Sequence, residues 1–227
     1  MAKEGGTLMN FDLAFALEIV PLVLHGIGNT LLVAILSFIG ASVLGFFWEM
    51  LRRSHRVIRP ITQFIIDAIR SIPVLVQIYF IFFVLPVYGV VLPAMFAGVF
   101  GLSFYFSGYM AEVFKAGIEA VPAGQGEAAQ SLGLDRRDTV VFVIAPQMLR
   151  NVAAPLGSYA VSILKSTPIL SVIAVPEMLG SALDVASNTY RFAEPMFVVG
   201  VLFLVLALVA VALIGRLERY LGVIPTN

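Results

Sequence analysis

Five long apolar stretches, separated by shorter polar intervals, set the plan of this chain. A helix needs about twenty mostly apolar residues to cross a bilayer, and stretches of that length fall near 22–50, 61–85, 89–114, 150–174 and 195–215. The interval from Val121 to Pro146, VPAGQGEAAQSLGLDRRDTVVFVIAP, is the longest polar one and carries its own signals. Pro122, Gly124 and Gly126 act as breakers, and Glu127 to Leu132 predicts a helix of about two turns. Gly133 suits the left-handed residue that closes that helix, and Asp135, with Asp138 three residues on, suits the N-cap of a second one. Ala128 and Ala129 give the first helix a face with little side chain, open to close docking or to ordinary tight packing. Residues 176–194 are too polar to span and predict a short helix on the opposite surface, bounded by Pro176 and Pro195. The last apolar run, from Met196 to Gly215, has no charged or amide side chain and reads as a lipid-facing anchor.

Composition agrees with an integral membrane protein: 60% of the 227 residues are hydrophobic and 12% charged. Basic and acidic residues balance at fourteen each with no basic run, so nothing indicates a nucleic-acid partner. With no cysteine, disulfide and thiol chemistry are excluded. The first twenty residues lack an uninterrupted apolar core with a small-residue cleavage site, so no cleaved signal peptide is expected; residues 11–25 can lie along the membrane surface. Arg52, Arg53, Arg56, Arg59, Lys115, Arg136, Arg137, Arg150, Arg216 and Arg219 all fall on one side of the five spans, against Lys3 and Arg191 on the other. The positive-inside rule therefore puts the N-terminus outside, and the C-terminus and the Glu127 loop in the cytoplasm.

Polar side chains inside spans are costly in hydrocarbon, so they mark protein interior or a pathway. Gln63, Asp67, Arg70 and Gln77 share a narrow arc of the second span, as either mutually neutralising packing or a gate lining. Pro73 breaks that helix and frees the carbonyl of Ile69. In the fourth span Ser158, Tyr159, Ser162, Lys165 and Ser166 occupy about a third of the circumference, and Pro168 frees the carbonyl of Leu164. Such an arc ending at a proline break is a typical binding-site construction in transporters, and serines at this spacing also bond their own helix. Tyr105, Tyr109 and Glu112 share a face of the third span. His25 and His55 have no partners at ligand spacing, so no metal site is expected. Lys165-Ser166-Thr167 lacks the glycine of a phosphate-binding loop, so any ATP would be bound by another chain.

Glu127-Ala128-Ala129, Gly133 and Pro146 at these spacings resemble the EAA loop of ABC-importer permeases. The likeness extends from about Gly26 to Leu217 and is to the polar amino acid group, of histidine and glutamine type. Arg70-Ser-Ile-Pro-Val-Leu-Val-Gln77, Gly108-Tyr-Met-Ala-Glu112, Val121-Pro-Ala-Gly-Gln-Gly-Glu127 and Lys165-Ser-Thr-Pro-Ile-Leu170 carry it. Val143 and Ala145 depart from the loop pattern; Ile72 replaces the threonine of R-G-T-P; Ser166 and Pro168 replace the aspartate and serine of K-D-T-S.

The resemblance implies an all-α polytopic permease subunit in a bacterial inner membrane, itself no enzyme. Its parts would be an N-terminal interfacial segment at 1–25, a permease domain at 26–217 with a cytoplasmic coupling loop at 118–146, and a tail at 218–227. Implied partners are an ATPase dimer carrying ATP and magnesium, a second permease subunit, identical or homologous, and an extracytoplasmic solute-binding protein. Glu127, Ala128, Ala129 and Gly133 would couple to the ATPase, while Ser71, Tyr109, Tyr159, Ser162 and Ser166 would contact solute. Asp67, Arg70, Gln77 and Lys165 would line a pathway or gate. Without the aspartate at position 166, a neutral, acidic or zwitterionic solute is expected rather than a cationic one. An ion-coupled secondary transporter, using Asp67, Arg70 and Lys165 as a relay, is the alternative; five spans without an inverted repeat speak against it.

Overall fold

The computed structural model describes residues 11–220, so the expectations for residues 1–10 and 221–227 lie outside the described residues. All regular structure among the described residues is helical. Two short helices, α1 (Leu13–Glu18) and α2 (Val20–Leu24), precede the first long helix, α3 (Ile27–Ser54). Then come α4 (Ile58–Ser71), α5 (Val74–Tyr79) and α6 (Ala94–Glu119). The short α7 (Ala123–Ser131) and α8 (Arg136–Asp138) lead into α9 (Ala145–Ser166), and α10 (Met178–Thr189) and α11 (Ala193–Tyr220) close the described chain.

Four helical stretches are long and apolar enough to cross a membrane, Ile27–Ser54, Ala94–Glu119, Arg136–Ile173 and Ala193–Tyr220; a fifth span arises if the bent pair Ile58–Ser71 and Val74–Tyr88 counts as one. Their boundaries differ from the sequence reading where local chemistry intervenes. The first span starts at Ile27 rather than 22, because the residues before it fold as α1 and α2. The third starts at Ala94 rather than 89: Gly89 takes a left-handed φ of 84° and Pro93 forms the N-cap of α6. The fourth reaches back to Arg136, through a π turn at Thr139–Ile144. Its 38 residues, at 1.5 Å each, amount to roughly 57 Å, well beyond a hydrocarbon core of about 30 Å, so part of it stands outside the lipid.

The second span is bent by 98° at Ile72 and Pro73. Proline has no N–H for the carbonyl of Ile69, and the side chain of Gln77 supplies one instead, its Nε2 donating at 2.7 Å to Ile69 O and at 3.0 Å to Ile72 O. The predicted polar face is therefore cut in two. Gln63, Asp67 and Arg70 stay on α4, while Gln77 is buried across the bend as its staple.

The central pair is α3 and α6, whose backbones come very close. A Cβ at Gly45 would lie 2.4 Å from Met110 Cβ, so any larger residue there would force the helices apart. Around this crossing Val33, Ala41, Leu102, Met110, Ile163 and Leu170 form a buried core. A second cluster joins Ala16, Ile19 and Val23 to Met178, Ala182 and Val198. The N-terminal helices are also tied by charge: Asp12 caps α1, its N–H donates to Glu194 at 3.1 Å, and Arg191 pairs with Asp12 at 3.5 Å over the ring of Phe15. Leu13, Leu17 and Leu22 face outward. α11 is largely exposed along its length, as an anchor in lipid would be, but its start is buried at Val198 and Val199, and further along it meets α9, where a Cβ at Gly157 would lie 2.4 Å from Ile214.

Candidate functional site

The polar loop folds as its residues foretell, with one correction. α7 runs from Ala123 and includes Gly124 and Gly126, so Pro122 alone marks its start. Each glycine costs a helix about 1 kcal/mol relative to alanine, yet a Cβ at either position would meet nothing within 4 Å. The chain's own packing gives no reason for them. At the far end Gly133 has φ of 80°, with Leu134 N–H bonded to Ala129 O and Gly133 N–H to Gln130 O, the paired bonds of a Schellman cap. Asp135 Oδ1 accepts from the N–H of Asp138 at 2.7 Å and starts α8. The two alanines part company: Ala129 is buried as α7 packs on the π turn, and Ala128 remains exposed. Next to it Leu132 is 83% exposed, an unusual position for a leucine on a polar loop.

The residues singled out in the spans fall into two groups. Arg70, Tyr109 and Tyr159 come together: the Arg70 guanidinium lies 5.1 Å from the centroid of the Tyr109 ring, which is 5.9 Å from that of Tyr159. Tyr109 Oη is 3.1 Å from Tyr105 Oη and donates to Arg70 O at 3.4 Å. Tyr109 and Tyr159 line a cavity of about 410 Å³ with Glu112 and Asn151. Ser71 sits at the end of α4 beside this group, its hydroxyl bonded to Asp67 O at 2.7 Å, and Asp67 reaches Arg70 at only 3.9 Å with both side chains partly in the open.

Ser162 and Lys165 lie elsewhere, in a groove of about 430 Å³ between α9 and α11 that also holds Ser158 and Glu218. Ser162 donates to Ser158 O and Ser166 to Ser162 O, each within its own helix. The carbonyl of Leu164, expected to be free, accepts both the N–H and the hydroxyl of Thr167, because the helix tightens to a 3₁₀ turn over Thr167–Ile173. Lys165 has no ion-pair partner among the described residues, so it does not join Asp67 and Arg70 in a relay.

Sequence reasoning missed a buried ion network at the arginine-rich end. Arg52, 5% exposed, pairs with the fully buried Glu49 and reaches Glu112 and Gln63, each at 2.6 Å. Glu49 also takes Arg53, whose other side meets Glu119 at 3.6 Å. One guanidinium thus joins α3, α4 and α6. The sequence held a signal: Glu49 is the single acid in its apolar run, with arginines three and four residues on.

Glu177 also escaped notice as more than a polar surface residue. It is fully buried, and its carboxylate caps α10 by accepting from the N–H of Leu179 at 2.8 Å and of Gly180 at 2.7 Å. Burial pushes its carboxyl up to about 7 against the pull of those two bonds. The folded protein therefore keeps a proton between pH 4.5 and 7 that the unfolded chain has released. Stability should fall by roughly 3 kcal/mol as pH rises through that window and level off above it. Detergent unfolding at pH 5 and pH 7.5 checks this, and Glu177→Gln should flatten the difference. Among the described residues no three His, Asp or Glu side chains gather as metal ligands do.

Comparison with known proteins is consistent along the chain. Residues 41–222 match the family described as binding-protein-dependent transport system inner membrane component. The chain is 41% identical over 207 residues to a probable amino-acid ABC transporter permease protein of Sinorhizobium fredii, covering 90% of this chain and 89% of the relative. It is 31% identical to the L-cystine transport system permease protein of Bacillus subtilis, covering 89% of each. A crystal structure of an amino acid ABC transporter with histidines superposes with a TM-score of 0.86 at 33% identity, covering 93% of this chain and 100% of that one.

Proposed function

The chain belongs to the family of binding-protein-dependent transport system inner membrane components and is the permease subunit of an amino-acid ABC importer, and on that premise we propose how its residues serve transport. ATP hydrolysis belongs to a separate subunit, and this chain is a multi-pass inner membrane component that makes and breaks no covalent bond. The coupling element is α7. The observation that carries this assignment is a two-turn helix, capped at its far end by Gly133 and followed by the Asp135 cap, that leaves Leu132 and Ala128 facing outward with Glu127. A leucine so exposed is satisfied by burial in a partner, and Gly124 and Gly126, where a Cβ would meet nothing within 4 Å, would let that partner approach the backbone of α7.

In this reading five spans, the bent pair counted as one, carry the N-terminus outside and the C-terminus inside, with residues 26–217 as the permease domain and 118–146 as its cytoplasmic loop. Of the described residues, 11–25 belong to the interfacial segment and 218–220 to the start of a cytoplasmic tail. Two ATPases, holding ATP and magnesium, dock on the coupling helices of two permease subunits, identical or homologous, and a solute-binding protein delivers the amino acid outside. Closure of the ATPases moves the coupling helices together and stabilises the outward-open arrangement; hydrolysis returns the inward one.

The solute passes by Tyr109, Tyr159 and Ser71, with Arg70 and Asp67 at the gate and Gln77 bracing the bend beneath them. Ser162, Ser166 and Lys165 contribute from the α9 side when the helices rearrange. The cation of Arg70 over the Tyr109 ring favours a solute bearing a carboxylate, neutral overall or acidic, over a cationic one.

Pull-down of a tagged chain from its native membrane in mild detergent tests the assembly. One ATPase copy per permease is expected, lost in Glu127→Lys; a folded permease recovered with no nucleotide-binding chain would sink the coupling assignment.

A further inference from the structure

We propose that the arginine-rich end of the helix bundle holds a binding site for a phosphate-bearing anion, either the headgroup of an anionic phospholipid or a soluble phosphate ester. The site is a cavity of about 480 Å³ where the end of α3, the turn into α4, the end of α6 and the start of α8 meet. Six arginine or lysine side chains line it, against the carboxylates of Glu49 and Glu119.

These cations are not equivalent. Arg52 and Arg53 are committed to Glu49, Glu112 and Glu119, and Lys115 reaches Glu112 only at 4.0 Å. Arg56, Arg59 and Arg136 make no ion pair among the described residues and are exposed around the cavity rim. Three guanidinium groups lining one cavity without an ion-pair partner leave a local excess of positive charge, and their planar donor sets match phosphate oxygens. The acid-paired arginines form the floor that holds α3, α4 and α6 at this spacing.

The surroundings add an independent reason to look to lipid. Val57, Ile58, Ile61 and Phe64 are exposed on the same turn and on α4, a few residues from Arg56 and Arg59. An apolar groove of about 570 Å³ begins at Phe64, the residue after Gln63 in the cavity wall. Free cations next to exposed apolar side chains at the end of a spanning helix fit a headgroup and the start of its acyl chain. The site does not depend on how α7 couples to an ATPase, and its test is separate from that reading.

The experiment uses the complex as isolated, comparing the wild type with Arg56→Gln/Arg59→Gln. Both arginines are exposed and unpaired, so the double variant should fold with little change in stability. Native mass spectrometry counts the retained lipid. Thermal unfolding is followed with short-chain phosphatidylglycerol, short-chain phosphatidylcholine or glycerol phosphate added. Retained phosphatidylglycerol is expected, with its addition raising the midpoint by about 5 °C near saturation, and both effects lost in the double variant. An equal rise with glycerol phosphate and no retained lipid would support the site with a soluble anion as its source. An equal effect of phosphatidylcholine, or a double variant that binds as the wild type does, would overturn the proposal. So would a double variant that keeps its lipid but loses its ATPase, because the arginines would then be a protein-docking surface.

Discussion

Replacing Glu127 with lysine is expected to lower ATP-driven uptake by about a hundredfold while the chain still inserts and folds. Glu127 is exposed on α7, and its side chain makes no hydrogen bond or ion pair among the described residues. Within the chain the change is therefore worth a few tenths of a kcal/mol. Any large effect must come from a partner. If α7 sits in a groove on the ATPase, reversing its charge at the centre of contact places a cation where an acid was accommodated, at a cost of about 2.8 kcal/mol, roughly a hundredfold loss of affinity. Leu132→Asp should act alike, by removing the exposed leucine that the groove would bury. Uptake into vesicles, together with the amount of ATPase that co-purifies, checks both. Normal uptake in a variant present at the usual level would refute the assignment of α7 as the coupling element.

Arg52→Leu is expected to be the most destabilising single change in the chain, at about 3–5 kcal/mol. The substitution leaves Glu49 buried with only Arg53 to balance it, and removes the ties to Gln63 on α4 and Glu112 on α6. A buried carboxylate without its main partner keeps its desolvation cost and loses the attraction that offset it. For a chain of this size the thermal midpoint should drop by about 10 °C or more. Adding Glu49→Gln should recover a large part of that loss, since it takes away the stranded charge. A second variant as unstable as the first would mean that lost packing of the arginine stem, rather than charge, accounts for the effect. Thermal unfolding of both variants in the same detergent separates the two explanations.

Much of this molecule could be read from the chain alone. Spans, the α7 helix, its Gly133 cap and the Asp135 start all follow from short-range rules, because hydropathy over twenty residues and capping within four are local properties. The freed carbonyl of Ile69 was legible for the same reason: a proline removes one named bond. What took that carbonyl was not legible. Gln77 reads as one more member of a polar face until a 98° bend carries it back over Ile69, and only the folded backbone brings those atoms to 2.7 Å.

The same division runs through the site. Helical periodicity grouped Tyr159 with Ser158, Ser162 and Lys165 on one arc, but α6 packs on one edge of that arc and α11 on the other, so the group divides between two cavities. Arg52 and Glu112 are sixty residues apart, and no local pattern pairs them; the close α3 and α6 crossing, set by Gly45 against Met110, does. By itself the sequence determined which segments are apolar enough to leave water, where the polar loop's helix is capped at Gly133 and restarted at Asp135, and that this loop stays exposed, since those depend on transfer free energies and bonds within a turn or two. Tertiary structure alone decided which polar groups meet across helices and which of two adjacent alanines remains free to dock. Those outcomes depend on helix rotation and crossing, which are set jointly by every contact in the bundle.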